Sequence, residues 1–364
     1  MQLSGPRPAP GRLAALDVLR FAAALAVTLY HYVTSFPSRE SVDPMATALS
    51  SITRYGYLGV DLFFMISGFV ILWSSQGRTA LEFCISRAGR LFPTFWVAML
   101  LSALAIWALP TGAPDISDSR LSATTLLGNA TMIPSIVGVP MIDGVYWTLE
   151  MEIRFYALIF ALLLFRQMHR IESWLAGWLV ISLACTFWPM PWLAAFAAIH
   201  PYGPLFMVGC YFYLIHAQGP SAMRVTGLSI ASVLAIYLSL KQRAGFITPD
   251  AVSGWVVPIV MLGFLALFVL MIRGRLAVRV SPAVAMSLGS LTYPLYLVHG
   301  RIGESLFSRM PPWPILARLA PIFVVVMLLA LLLSRTTESR GRRLFEGALR
   351  KLLKPFGARR RSPV

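Results

Sequence analysis

Charge is what this chain has least of. Asp, Glu, Lys and Arg make up 13% of its 364 residues, about half the share of a soluble domain. Acidic residues are the scarcer kind, 15 against 31 basic ones. Together with 57% hydrophobic residues, this shortage excludes a soluble globular fold and leaves no segment that reads as a soluble domain. Cysteine is nearly absent: Cys84, Cys185 and Cys210 are odd in number and scattered, which excludes a disulfide framework and a thiolate metal centre. No CxxC, no HExxH and no glycine-rich phosphate loop occurs, so no resident metal or bound cofactor is expected. No internal repeat stands out, which argues against a transporter built from two related halves.

Long hydrophobic runs fill the space. The expectation is an all-α, polytopic integral membrane protein of about ten transmembrane helices. They fall at 13–35, 57–74, 91–109, 146–165, 174–188, 196–215, 226–240, 254–272, 286–300 and 314–334. The first run is too long for a signal-peptide core and lacks a small-residue cleavage site. The fifth, sixth and ninth are short or interrupted by proline. The prolines around Trp188–Pro191 and His200–Pro204 predict broken helices or a short re-entrant turn.

Basic residues orient the runs. With the N-terminus inside, Arg7, Arg12, Arg78, Arg87, Arg90, Arg166, Arg170, Arg224, Arg273, Arg275, Arg279 and the tail from Arg335 to Arg361 fall on the cytoplasmic side. The longest external stretch, 110–145, holds Asp115, Asp118 and Asp143 against Arg120. Both termini are therefore expected in the cytoplasm. The net charge of +16 raises nucleic-acid binding, but the dense basic run is confined to the tail next to the last span. Such clusters set topology and touch anionic lipid, so the bilayer, not nucleic acid, is the expected partner.

Ionisable groups inside apolar helices are costly and mark candidate sites. Arg20 and His31 lie eleven residues apart, three turns plus about 20°, with Asp17 one turn before Arg20. A snorkelling Arg20 paired to Asp17 would explain two of them; His31 is a third polar group on the same stripe. His31, Asp61, Glu152 and His299 all fall near the outer ends of their runs, and Arg20 lies about 16 Å deeper than His31. Arg87 and Arg90 sit one turn apart at the cytoplasmic mouth of the third run. Asp61 equally suits hydrogen bonds near Gly56 and Gly59, His299 an interfacial helix end, and the two arginines simple topology. His169 and His216 read as solvated. Glu150 and Glu152 differ by about 200° and face opposite ways. Glu150 has Arg154 as a favourable i,i+4 partner, whereas Glu152 shares a face with Phe155 and Tyr156 and has no opposite charge in its helix.

In order along the chain stand Arg20-x10-His31; Gly59-Val60-Asp61-Leu62-Phe63-Phe64 followed by Ser67-Gly68-Phe69; and Arg87-x-x-Arg90-Leu91-x-Pro93. Then come Trp147-Thr148-Leu149 with Glu152, Phe155 and Tyr156; Pro204-Leu205-Phe206-Met207-Val208-Gly209; and Leu288-Gly289-x-x-x-Tyr293-x-x-Tyr296-Leu297-x-His299. Each piece alone is weak, but six in order resemble the membrane-bound acyltransferase family 3, the bacterial O-acyltransferases of sugars, polysaccharides and glycosylated antibiotics. The soluble esterase-like extension of some members has no counterpart here. Under the resemblance the chain divides into a short cytoplasmic N-terminus (1–12), a membrane acyltransferase domain (13–336) and a basic cytoplasmic tail (337–364).

The resemblance implies a multi-pass enzyme of the bacterial cytoplasmic membrane. It would move an acyl group, commonly acetyl, from acyl-CoA as co-substrate to a hydroxyl of a carbohydrate or glycosylated acceptor. Paired arginines suit the phosphates of CoA, so Arg20, Arg87 and Arg90 are expected at the donor. An acceptor hydroxyl needs a base, and histidine is matched to working pH; His31 is expected as that base or as acyl carrier, with Asp61 or Glu152 orienting it. Asp17, Tyr156, Tyr293 and His299 are expected in acceptor-binding or supporting positions, and Arg20 or a tyrosine as oxyanion donor. The alternative is a transporter or flippase of a lipid-linked or sugar substrate that uses the same charges without acyl chemistry.

Overall fold

The computed structural model describes residues 10–36, 43–109, 121–246, 253–276 and 280–357. Expected charges at Arg7, Asp115, Asp118, Arg120, Arg279, Arg359, Arg360 and Arg361 lie outside the described residues, as do 1–9 of the N-terminus and 358–364 of the tail. Helix makes up 84% of the structure, and no strand occurs among the described residues.

The chain begins with α1 (Pro10–Leu29), whose last turns widen over Tyr30–Ser35. α2 (Pro44–Thr53) leads through a short turn into α3 (Gly59–Ser75), then α4 (Ala80–Ala108). Two small helices, α5 (Ala123–Ala130) and α6 (Pro134–Val137), precede α7 (Trp147–Leu164). α8 (Ile171–Phe187), α9 (Trp192–Ala197), α10 (Gly203–Gln218) and α11 (Ala222–Phe246) follow. The remainder is α12 (Val256–Ile272), α13 (Pro282–Val298), α14 (Arg301–Arg309), α15 (Ile315–Leu333) and α16 (Arg342–Gly357).

Among the described residues, five stretches are long and apolar enough to cross a membrane: Ala14–Ser35, Pro44–Ser75, Ala80–Ala108, Ala222–Arg243 and Ile315–Leu353. α12 and α13 are shorter apolar helices, and the expected run 196–215 is not one helix but is split by the turns between α9 and α10. The proline-bounded segment is broken: α8 stops at Phe187, and α9 is six residues long before the turns leading to Gly203. Outward-facing Leu100, Leu104, Trp107, Ile259, Leu262, Val324, Leu328 and Leu332 are exposed, an apolar exterior that water would not solvate but lipid would.

The third run starts earlier than hydrophobicity alone indicates. Thr79 and Glu82 form a capping box, the Thr79 side chain accepting from the Glu82 backbone N–H at 3.2 Å and the Glu82 carboxylate from the Thr79 backbone N–H at 3.0 Å. Reciprocal capping of orphan backbone donors starts α4 at Ala80. Arg87 and Arg90 therefore lie two to three turns into α4 and not in a loop, and Arg87 is buried.

α1, α3, α10 and α13 pack at the centre, with α4 and α7 alongside. α3 and α10 cross where Gly68 meets Gly209: a Cβ on Gly209 would lie 2.0 Å from the Met65 carbonyl oxygen, and one on Gly68 2.0 Å from that of Phe206. Both obstacles are backbone, so neither can rotate away, and small residues let the helix axes approach. Gly209→Leu is expected to force the helices apart and destabilise the fold by about 1–3 kcal/mol. Gly263→Ala in α12, where a Cβ meets nothing within 4 Å, should be neutral or mildly stabilising. The monodisperse fraction on detergent gel filtration measures both.

Candidate active site

Two neighbouring cavities lie in the helical centre. The inner one, about 50 Å³, is lined by Arg20 of α1, Ser67 of α3, Thr148 and Glu152 of α7, and Tyr293 and Tyr296 of α13. Glu152 accepts a hydrogen bond from the Tyr156 hydroxyl at 2.6 Å and one from the Ser67 hydroxyl at 3.2 Å. Ser67 lies six residues past Asp61, about 240° round the helix. α3 therefore turns Ser67 toward Glu152 and Asp61 elsewhere.

Arg20 interacts electrostatically with Arg90, Glu152, Tyr156 and Asp17. Arg90 in turn interacts with Arg87. Three guanidinium groups thus run in sequence from α4 to the inner cavity. Arg87 donates to the Ser74 hydroxyl at 3.0 Å and lies against the rings of Phe83 and Tyr156, 5.7 and 6.0 Å from their centroids. Its Nε and Nη1 are buried with no hydrogen-bond partner. Asp17 packs against Gly289 of α13. Tyr293 donates to the Leu91 carbonyl at 3.1 Å, tying α13 to α4 beside Arg90.

The outer cavity, about 210 Å³, is lined by Tyr30, His31, Ser35, Tyr57, Trp147 and Tyr296 among others. It shares Val60 and Tyr296 with the inner cavity. Those two residues stand between the cavities; the Tyr296 hydroxyl lies 2.7 Å from that of Thr148 and its ring packs edge-on to Phe63 at 5.7 Å. His31 stands in the widened turn after α1, a wide-helix geometry often found at functional sites. The ring centroid of His299 is 5.2 Å from that of His31. Asp61 is buried near the start of α3, hydrogen-bonded by Ser239 of α11, and lines neither cavity. The structure thus brings Arg20, Glu152, Tyr156 and Tyr293 together, seats His31 with His299 beyond Val60 and Tyr296, and places Asp61 apart.

Several participants were not apparent from sequence reasoning. Ser67 and Thr148 sit inside the motifs quoted above, yet nothing in their type signals a carboxylate or tyrosine partner. Asp143 reads as an external loop charge; instead it is buried, accepting from the backbone N–H groups of Val145 at 3.2 Å and Arg301 at 2.7 Å. It clamps the turn before α7 to the turn after α13. Glu150 pairs with Arg154 as its spacing indicates, and also accepts from the backbone N–H of Ser135 at 3.2 Å and from the Ser135 hydroxyl. Arg154 stacks on Phe196 at 4.2 Å.

The model of the acyltransferase domain of family 3 matches residues 13–335. The chain belongs to that family. This family-3 chain is a membrane protein. It is 31% identical over 150 residues to acyltransferase MdmB of Streptomyces mycarofaciens, covering 40% of this chain and 38% of that protein. It is 28% identical over 203 residues to a protein named as membrane-bound transacylase BcsY of Komagataeibacter xylinus (47% and 46%). A third relative is the exopolysaccharide production protein ExoZ of Rhizobium meliloti (strain 1021), 32% identical over 110 residues (28% and 32%). The alignments span less than half the length of each relative. No solved structure matches.

Glu152→Gln keeps an oxygen for Tyr156 and Ser67 but removes the charge facing Arg20, so turnover should fall strongly at normal protein level. Glu150→Gln should instead lower stability by about 3 kcal/mol, because Arg154 loses its buried counter-ion. Adding Arg154→Gln should restore part of it. Turnover per folded enzyme, measured across the single and double variants, separates the two glutamates; equal catalytic loss at both would reverse the assignment.

Proposed function

We propose that the enzyme transfers an acyl group, acetyl in the simplest case, from acyl-CoA to a hydroxyl of a carbohydrate or glycosylated acceptor in the bacterial cytoplasmic membrane. The chain crosses that membrane about ten times with both termini in the cytoplasm. One observation carries the reading: Arg87, Arg90 and Arg20 interact in sequence, and Arg20 lines a cavity that adjoins, across a neck at Val60 and Tyr296, the cavity lined by His31. A polyanionic donor enters along guanidinium groups, which bind phosphate through charge-assisted hydrogen bonds. The orphaned Nε and Nη1 of Arg87 are donors without a protein acceptor, as a phosphate site requires. The exopolysaccharide role in the name of ExoZ favours a glycan acceptor.

The chemistry divides between the cavities. The acceptor hydroxyl gives its proton to His31 as its oxygen attacks the thioester carbonyl; the carbon–sulfur bond then breaks and the thiolate leaves with a proton. In a two-step variant His31 first takes the acyl group and then passes it to the hydroxyl. The hydroxyl of Tyr296, which borders both cavities, faces the developing oxyanion, whereas Arg20 lies too deep to reach it. The inner cavity holds only a few waters at its present size, so the thioester arm reaches His31 by widening the neck. Glu152 holds Arg20 in place by charge and is itself held by Tyr156 and Ser67.

The test is transfer of label from [14C]acetyl-CoA to extracted envelope glycans, with thiol release followed in parallel. His31→Ala and His31→Gln should both abolish transfer with membrane abundance near normal; substantial transfer by either removes His31 from the mechanism. Thiol release without an acylated product, or glycan movement without thiol release, removes the transferase reading.

Arg87→Ala and Arg90→Ala should each raise the apparent KM for acetyl-CoA about ten- to a hundred-fold, the worth of a charge-assisted contact, and leave acceptor dependence largely unchanged. Terminal-tag accessibility in the same variants separates this from altered topology. Unchanged donor affinity would overturn the donor assignment.

A further inference from the structure

The geometry points to His299 as the positioning residue for His31: its Nε2 accepts a hydrogen bond from His31 Nδ1–H and so holds His31 Nε2 unprotonated toward the outer cavity. This inference rests on the proposed role of His31. His299 Nδ1 lies 2.8 Å from the Tyr296 carbonyl oxygen. A carbonyl only accepts, so Nδ1 carries the proton, and in the neutral ring Nε2 is left as a bare acceptor. His299 is completely buried, and that Nε2 has no partner.

The neighbouring ring has the complementary vacancy. His31 Nδ1 is buried and also has no hydrogen-bond partner, and the two ring centroids are 5.2 Å apart with planes at 53°. At that separation His31 Nδ1 comes within hydrogen-bonding reach of His299 Nε2 once the His31 ring turns toward it. Two buried orphan nitrogens are costly apart and satisfy each other together. The bond would fix the tautomer of His31 as Nδ1–H with Nε2 free, the form a general base or acyl carrier needs.

His299 is itself held rigidly. Tyr32 donates to its carbonyl oxygen at 3.1 Å, and Asp143 accepts the backbone N–H of Arg301 two residues on at 2.7 Å. The surrounding titratable and charged groups are Tyr30 and Tyr32 beside His31, Tyr57 before α3, Tyr296 on α13, and Asp143 with Arg301 and Glu304 across the α13–α14 turn. None of the residues lining the outer cavity is a carboxylate, and Asp61 is engaged by Ser239. His299 therefore does for His31 what an orienting carboxylate does in other base–orienter pairs. In the step, the hydroxyl proton goes to His31 Nε2 while Nδ1–H stays in place, and the neutral acceptor on His299 stabilises the imidazolium that forms.

Two isopolar replacements separate positioning from structure. His299→Asn keeps an amide N–H near the Nδ1 position for the Tyr296 carbonyl but has no atom at Nε2. His299→Gln reaches the Nε2 position with an acceptor oxygen. In the full-length protein, with [14C]acetyl-CoA and extracted envelope glycans, His299→Asn should lose about a hundred-fold in kcat, the worth of a hydrogen bond to a charged group, at unchanged acetyl-CoA KM. The acid limb of its pH–rate profile should move to lower pH, because the imidazolium is no longer stabilised. His299→Gln should recover most of kcat. A fully active His299→Asn, or a His299→Gln no better than His299→Asn, overturns the proposal. His31→Ala is run alongside: if it stays active the underlying reading fails, whereas an inactive His31→Ala with a normal His299→Asn fails the pairing alone.

Discussion

Polar and charged side chains inside this apolar bundle are tolerated because each leans on another or borders a cavity. The core of that arrangement is Glu152, which accepts from Tyr156 and Ser67 and faces Arg20 across a small cavity. A carboxylate in such a setting is stable only when its lone pairs are filled and a counter-charge is near. α1, α3 and α7 each contribute to meeting that condition, so the packing of these three helices and the chemistry of the site are the same constraint. The glycine crossing of α3 and α10 serves it too, since it sets how closely the Ser67 face can approach α7.

The site has an axis. Guanidinium groups stand at one end, a carboxylate with its hydroxyl partners in the middle, and a pair of imidazoles at the other. Val60 and Tyr296 separate the middle from the imidazole end. For a reaction that joins a polyanionic donor to an acceptor hydroxyl, that separation is useful: the donor's charge stays with the arginines, and only the neutral acyl end need pass the neck. Rigidity is concentrated at the imidazole end, where Asp143 ties two turns together, and the donor end rests on single helix-to-helix contacts such as Tyr293 to Leu91.

Some of this was legible one residue at a time. The Arg20–His31 stripe and the Glu150–Arg154 pair follow from helical periodicity, which a rigid 3.6-residue repeat imposes before any tertiary contact forms. The early start of α4 was legible as well, in the capping box at Thr79 and Glu82, but hydrophobicity overshadowed it. Asp61 shows the opposite case. Its depth and charge matched those of His31 and Glu152, yet depth along a helix says nothing of azimuth relative to a neighbour.

By itself, the sequence determined the membrane class, the helical runs, the acyltransferase family and the candidate polar residues, because composition, period and motif order are local properties of the chain. Only the tertiary structure decided which of those residues share a space. It seated His31 against His299 rather than beside a carboxylate, turned Asp61 toward Ser239, and drew Ser67 and Tyr156 onto Glu152. The reason is rotational: each helix is free to turn about its own axis until glycine crossings, capping and the pairing of buried polar groups select one azimuth, and that choice involves several helices at once.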